Sequence, residues 1–160
     1  MIVTAAMNDE LHSSMTELRD KFFPREINYL EAHITLFHQF PDRCETQLKE
    51  WVREQKVMQL ELSEPVFLGF GFGVKVESPP LKSFYLALRG NFLNQLSKQD
   101  AHKKNLHITL QNKVEARQAK KECSEFSKNW QPMSGEILGL NLYHYLGGPW
   151  EKKEEIKFRS

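Results

Sequence analysis

The sequence contains one four-residue word twice, His33-Ile34-Thr35-Leu36 and His107-Ile108-Thr109-Leu110, 74 positions apart (33 to 107). Both copies lie where the alternation of polar and apolar residues predicts a β-strand. Successive side chains of a strand point to opposite faces. His and Thr therefore project together from one side, while Ile and Leu enter a core on the other. The parity extends outward from each word. Glu31 joins His33 and Thr35 on the polar face of the first strand, with Ala32, Ile34 and Leu36 behind. Asn105, His107, Thr109 and Gln111 share the polar face of the second, with Leu106, Ile108 and Leu110 behind. A polar face backed by a wholly apolar one belongs to an antiparallel sheet whose back is covered by helices.

The rest of the chain predicts a frame that carries both strands. A strand is expected over Ile2 to Met7. A helix then starts at Asn8 or Asp9 and runs to about Phe23, with Leu11, Met15, Leu18 and Phe22 inward and Pro24 at its end. The first motif strand covers Asn28 to His38. A second helix follows over about Thr46 to Lys56. Val57 to Phe72 alternates as one or two strands, and Val74 to Val76 adds a short one. Ser78-Pro79-Pro80 is the strongest breaker and marks a junction between halves at about 1–78 and 79–160. Beyond it the pattern predicts a strand at Phe84 to Leu88 and a helix through about Gln99. The second motif strand, a helix over about Glu115 to Trp130, a long strand at Gly135 to Leu146 and a short strand at Ile156 to Phe158 follow. The order βαβαββ thus occurs twice, with Phe84 following Ile2 and Ile156 following Val74 at 82 positions (2 to 84, 74 to 156). The expectation is an α+β fold of one bilobal domain, built from internally duplicated βαβαββ units. Two antiparallel sheets would face a central groove, with helices on the outer faces.

Composition narrows the function classes. A chain of 160 residues suits one domain with a real core. Its 22 basic and 21 acidic residues leave a net charge of +1, too little to grip a long duplex through many phosphates. A small phosphate ligand or the end of a strand remains open. Cys44 and Cys123 are far apart with no CxxC spacing, which suits free thiols in a reducing compartment and leaves a single disulfide open. The apolar run at the N-terminus is short, and no stretch reaches membrane-spanning length. A soluble cytoplasmic monomer without a membrane partner is expected. The six histidines show no HExxH or Cys/His cluster, so no metal and no cofactor are expected. Phe70-Gly71-Phe72-Gly73 lacks the GxGxxG order of dinucleotide binding and reads as structural.

Two histidines near neutral pKa can supply a base and an acid together. A threonine hydroxyl two residues on can donate to a phosphate oxygen. Such a set suits in-line displacement at phosphorus, and reversal of the same steps serves ligation. A lone H-x-T in a strand is usually structural. Two identical copies at matching steps of a repeat favour catalysis. Tyr143 and Tyr145 lie opposite Leu140, Leu142 and Leu146 in parity, and either could stack on a base. Ordinary edge packing explains them equally well. Lys103, Lys104, Lys113, Arg25 and Arg43 flank the motif strands as steering charges or as a solvated rim.

The paired words resemble the two H-x-T-h signatures of the 2H phosphoesterase superfamily, and within it the 2′–5′ RNA ligase-like cyclic phosphodiesterases. The run from Leu142 to Glu151 is similar to that group's final strand and turn, and Phe70 to Gly73 also fits. The resemblance implies hydrolysis of 2′,3′-cyclic phosphate termini or small cyclic phosphodiesters without a metal. It implies His33 and His107 as the catalytic pair, the first as acid and the second as base, with Thr35 and Thr109 holding the phosphate. The implied partner is a small cyclic nucleotide or an RNA terminus bearing a cyclic phosphate. The rival readings are 2′–5′ RNA ligation and a non-catalytic nucleotide or RNA-end binding module.

Overall fold

The computed structural model describes residues 1–160. Seven strands and five helices follow the order β1 (Ile2–Met7), α1 (Asp9–Phe22), β2 (Ile34–Phe37), α2 (Glu45–Arg53), β3 (Met58–Phe67), β4 (Phe72–Glu77), α3 (Pro79–Phe92), α4 (Lys98–Ala101), β5 (His107–Gln111), α5 (Ala116–Lys128), β6 (Met133–Tyr145) and β7 (Trp150–Lys157). Every strand pairing is antiparallel. The sheet runs β1-β2-β5-β4-β3-β6-β7, and β6 also pairs with β1. Six strands therefore close into a barrel-like ring, with β7 added outside β6. The α+β class and antiparallel pairing match the sequence reading. The separation into two sheets does not appear, because hydrogen bonds join all seven strands.

The weakest seam of the ring is the one that matters for the motifs. β2 and β5 share a single registered pair, Ile34 against Ile108, both fully buried. Their side chains join a continuous core with Leu36, Leu110 and Val74, and with Leu11 and Met15 of α1. Each buried Ile contributes about 1.5–3 kcal/mol by leaving water. On the other side of β5, Gly73 lets β4 lie close: a Cβ there would sit 2.1 Å from the Ile108 carbonyl oxygen. Only a glycine permits so close a backbone approach.

Three expectations from the sequence are corrected. Phe84 to Leu88 is not a strand but the middle of α3. Ser78 caps the helix by accepting from the Leu81 amide, and Pro79 and Pro80 occupy its first positions. Leu81, Tyr85, Leu88 and Phe92 bury one helical stripe, and that spacing of three and four overrode the alternating Phe84, Leu86 and Leu88. The breaker is thus a helix start, and the helix expected from about Gly90 through Gln99 gives way to the end of α3, a single 3-10 turn at Leu93–Gln95 and the start of the short α4. The first motif strand is short, Ile34–Phe37, and His33 precedes it. The last strand is longer than expected. The charged run Lys152-Lys153-Glu154-Glu155 lies within β7, where Lys49 of α2 meets Glu154 at 2.6 Å. An outer strand is held by backbone bonds to one neighbour and needs little apolar patterning.

With β4, the pair α3 and α4, β5, α5 and β6 set against β1, α1, β2, α2 and β3, each half contributes three strands to the ring. β1, β2 and β3 exchange with β4, β5 and β6 without changing the ring's pairing map. No helix is long and apolar enough to cross a membrane.

The chain leaving β2 is fixed by a buried carboxylate. Asp100 of α4 is 2% exposed and accepts from the backbone amides of His38 at 2.9 Å and Gln39 at 2.7 Å. Burial alone would raise its pKa, but the bonds from His38 and Gln39 prevail and hold it below the ordinary value. A depressed carboxyl stabilises the fold above its unfolded pKa, and that contribution is lost as pH falls through the lower folded value. Asp100→Ala is expected to lower unfolding free energy by about 2–3 kcal/mol and to remove this part of the acid sensitivity. Denaturant melts of both proteins at neutral and acid pH check both points.

Candidate active site

The seam between β2 and β5 sets the geometry of the four motif residues. Continuing the antiparallel register one step either side of Ile34–Ile108 places His33 across from Thr109, and Thr35 across from His107. Directly opposed side chains stand on one face, about 4.5–5.5 Å apart, and diagonal neighbours about 7–8 Å apart. Each histidine thus faces the other motif's threonine, and the two imidazoles take the diagonal. All four side chains are half-buried.

Both rings are tethered alike. His33 Nδ1 donates to the Glu31 carbonyl at 2.8 Å, and His107 Nδ1 donates to the Asn105 carbonyl at 3.2 Å. A carbonyl can only accept, so each neutral ring carries its proton on Nδ1 and keeps a lone pair on Nε2. Burial pushes His33 down to about 4; the bond to Glu31 opposes this, and the charges of Arg19, His38 and His107 reinforce it. Burial also lowers His107, against its bond to Asn105 and with help from Lys104 and His38. At neutral pH both rings are therefore uncharged bases. A phosphate anion between them would favour the protonated form of one.

Neighbouring strands extend the polar face. Thr4 of β1 registers with Thr35 and with Asn141 of β6, so their side chains share the motif face. The Asn141 Oδ1 is buried without a hydrogen-bond partner. Buried polar atoms are normally paired, so this floor has unused capacity for a ligand or water. Gly73 registers with Thr109 and Lys75 with His107 across β4.

The two tyrosines part company. Tyr143 is half-buried, its ring centroid 5.5 Å from that of Trp150. Burial raises its hydroxyl pKa. Tyr145 is 65% exposed and lines a cavity of about 580 Å³ together with Trp150, His38 and Phe40. Trp150 stands between this cavity and the motif, 4.7 Å from the His33 ring.

Two residues near the motif were not singled out from the sequence as site residues. Trp150 was legible only as part of the tail resemblance, because its approach to His33 depends on β7 folding back along β6. Arg19 is 4% exposed on α1 and donates through Nη1 to the Thr109 carbonyl at 3.2 Å and through Nε to Asn28 Oδ1 at 2.9 Å. Burial lowers its pKa to about 10, against the pull of Asp20. The available signal was its spacing, since Leu11, Met15 and Arg19 form one i, i+4 stripe. A charge in an apolar stripe indicates a buried partner.

The description 2′-5′ RNA ligase superfamily belongs to the family model that matches this chain, over residues 7–149. A comparison with curated proteins gives no sequence match. Among solved structures, TT0787 of Thermus thermophilus is 14% identical, with a TM-score of 0.64 over 99% of this chain and 98% of its own. A crystal structure described as a phosphoesterase is 15% identical, with a TM-score of 0.63 over 99% and 98%. E. coli LigT complexed with 3′-AMP is 16% identical, with a TM-score of 0.60 over 99% and 97%. At these identities the structures show a shared fold, and the family match spans most of the sequence. The chain belongs to the 2′-5′ RNA ligase superfamily, the 2H phosphoesterases whose paired signatures its two motifs resemble.

Proposed function

We propose that this protein is a metal-independent phosphodiesterase that opens 2′,3′-cyclic phosphates or related RNA and nucleotide phosphodiesters. The observation that carries the reading is the matched pair of histidines. Each is tethered through Nδ1 to the carbonyl two residues before it, and each is set across from the other motif's threonine. The 3′-AMP bound to E. coli LigT, a protein of the same fold, supports a nucleotide end as the ligand class. The doubled β-α-β-α-β order supports an origin by internal duplication, with one motif from each copy.

In the proposed reaction, one imidazole is neutral and the other is protonated at Nε2. Water attacks phosphorus, and the neutral Nε2 takes its proton. The P–O bond to one ribose oxygen breaks, and the protonated Nε2 supplies the proton that oxygen needs. The product is a phosphomonoester beside a free hydroxyl. The charge states of the two rings are then exchanged, and proton exchange with solvent resets them. Thr35 and Thr109 donate to the non-bridging oxygens and hold the phosphorus in line between the rings. Exposed Tyr145 beside half-buried Trp150 offers an aromatic face for the base of the same nucleotide.

Turnover of a 2′,3′-cyclic nucleotide in EDTA tests this reading. His33→Ala and His107→Ala are each expected to lower kcat/KM by roughly 10²–10⁴-fold. Thr35→Val and Thr109→Val are expected to lower it by about 10–100-fold, the loss of a hydrogen bond to a charged group. Activity that survives either histidine substitution would remove the two-imidazole mechanism.

The lowered histidine pKa values add a second measurement. A ring kept neutral in the fold binds protons less tightly than in the unfolded chain. Its contribution to stability is complete above the ordinary value of 6.5 and declines as pH falls toward about 4 for His33. His33→Gln is expected to flatten the stability curve in that window. Binding of inorganic phosphate at about pH 6 is expected to take up protons, read by calorimetry in buffers of different ionisation enthalpy. Zero uptake would count against a phosphate between the rings.

A further inference from the structure

Helix α1 packs against β5, and one of its turns reaches both motifs. Thr16 and Arg19 are three residues apart in the helix and so share a face. The Thr16 hydroxyl accepts from the Ala32 amide at 3.2 Å. That amide belongs to the same peptide group as the Glu31 carbonyl, which accepts from His33 Nδ1. Thr16 therefore holds the peptide that orients the His33 ring. Arg19 bonds the Thr109 carbonyl through Nη1 and Asn28 Oδ1 through Nε, and Asn28 Nδ2 donates on to Asp20 at 3.0 Å.

The bond to Thr109 stands where strand pairing ends. The Val76 amide of β4 donates to the Leu106 carbonyl at 3.0 Å, so the carbonyls of Leu106 and Ile108 face β4. Carbonyls alternate in direction along a strand, and that of Thr109 faces the β2 side. Strand β2 begins at Ile34, the partner of Ile108, so the Thr109 carbonyl lies one step beyond the registered pair. The Arg19 guanidinium supplies a donor at that step. His33 stands across from Thr109 there, so one turn of α1 grips a residue from each motif.

The other half of the site is held differently. Thr35 registers with Thr4 of β1, and His107 with Lys75 of β4, both inside ladders. Arg89 stands in α3 where Arg19 stands in α1, each in a helix of 14 residues and at matching positions (9 to 19, 79 to 89). Arg89 bonds the Ala101 carbonyl of α4 and reaches no motif residue. Arg19 has no carboxylate within ion-pair distance, and burying such a guanidinium is costly. A methionine would continue the Leu11 and Met15 stripe without that cost. The arginine adds its bonds to β5 and to the approach of β2.

We propose that Arg19 is a positioning residue for the reaction: with Thr16 it locks the His33–Thr109 half of the site at the open end of the seam, whereas strand pairing sets the Thr35–His107 half. This rests on the phosphodiesterase reading and names the residue that fixes its geometry.

The test follows turnover of a 2′,3′-cyclic nucleotide by wild type, Arg19→Met, Thr109→Val, Thr35→Val and the two double variants, at a temperature where circular dichroism shows each folded. Arg19→Met is expected to lower kcat by about tenfold and to change KM by less than about threefold. In the Thr109→Val background the same substitution is expected to cost less than about threefold, because its effect passes through Thr109. In the Thr35→Val background it is expected to cost the full factor of about ten. Arg89→Met, which also removes a bond from a helix arginine to a carbonyl, is expected to stay within about twofold of wild type. Equal losses in both threonine backgrounds, or equal losses from Arg19→Met and Arg89→Met, would overturn the role of Arg19 and leave the phosphodiesterase standing. Should Arg19→Met not fold, Arg19→Lys takes its place in the same comparison, keeping the charge and losing the two-armed fork. Should wild type not turn the nucleotide over, the phosphodiesterase reading fails, and amide hydrogen exchange by NMR decides the clasp. Faster exchange in Arg19→Lys at His33 and Thr109, with Thr35 and His107 unchanged, supports it. Exchange that changes alike at all four, or at none, overturns it.

Discussion

Ile34 faces Ile108 across the seam between β2 and β5, and that one pair fixes what stands on the other side of the sheet. Strand parity is rigid: a slip by one residue would send both histidines into the core and both isoleucines to the polar face. The apolar requirement of the core therefore enforces the position of the chemistry. The seam has little hydrogen bonding of its own, and its neighbours hold it. Gly73 lets β4 close in on Ile108, Arg19 bonds the Thr109 carbonyl, and Asp100 pins the chain leaving β2.

Electrostatics follow from that placement. Half-buried between strands, both imidazoles are held neutral, with Nδ1 committed to a backbone carbonyl and Nε2 free. Cations gather around the pair, Arg19 beside one ring and Lys104 beside the other. This environment disfavours an extra proton on an empty site and favours one when an anion is present. The two flanks differ in kind, aromatic beside His33 and cationic beside His107.

Much of this was legible along the chain, and the failures have local causes. Helix α1 and the strands β1 and β5 follow from ordinary periodicity. The segment Phe84–Leu88 misled because a buried helix with apolar residues at three and four spacing also contains an alternating triplet. The Ser78 cap and the two prolines decide between the periods, and they read as a junction when seen alone. β7 was underestimated because four charged residues conceal a strand held by its pairing with β6. Arg19 was passed over since a helical arginine is usually solvated, and only its fit beneath β5 makes it a buried donor.

The sequence by itself determined which four side chains share a chemical face, because strand parity is a local property with a period of two. It also determined the class of reaction that two imidazoles and two hydroxyls suit. Tertiary structure decided the rest: which threonine stands across from which histidine, that Trp150 closes over His33, and that Lys75 meets His107. Those relations join residues tens of positions apart through strand order and register. They are set by long-range backbone pairing, by the Ile34–Ile108 contact between β2 and β5 and by the close approach of Gly73 to β5, and no local pattern carries that information.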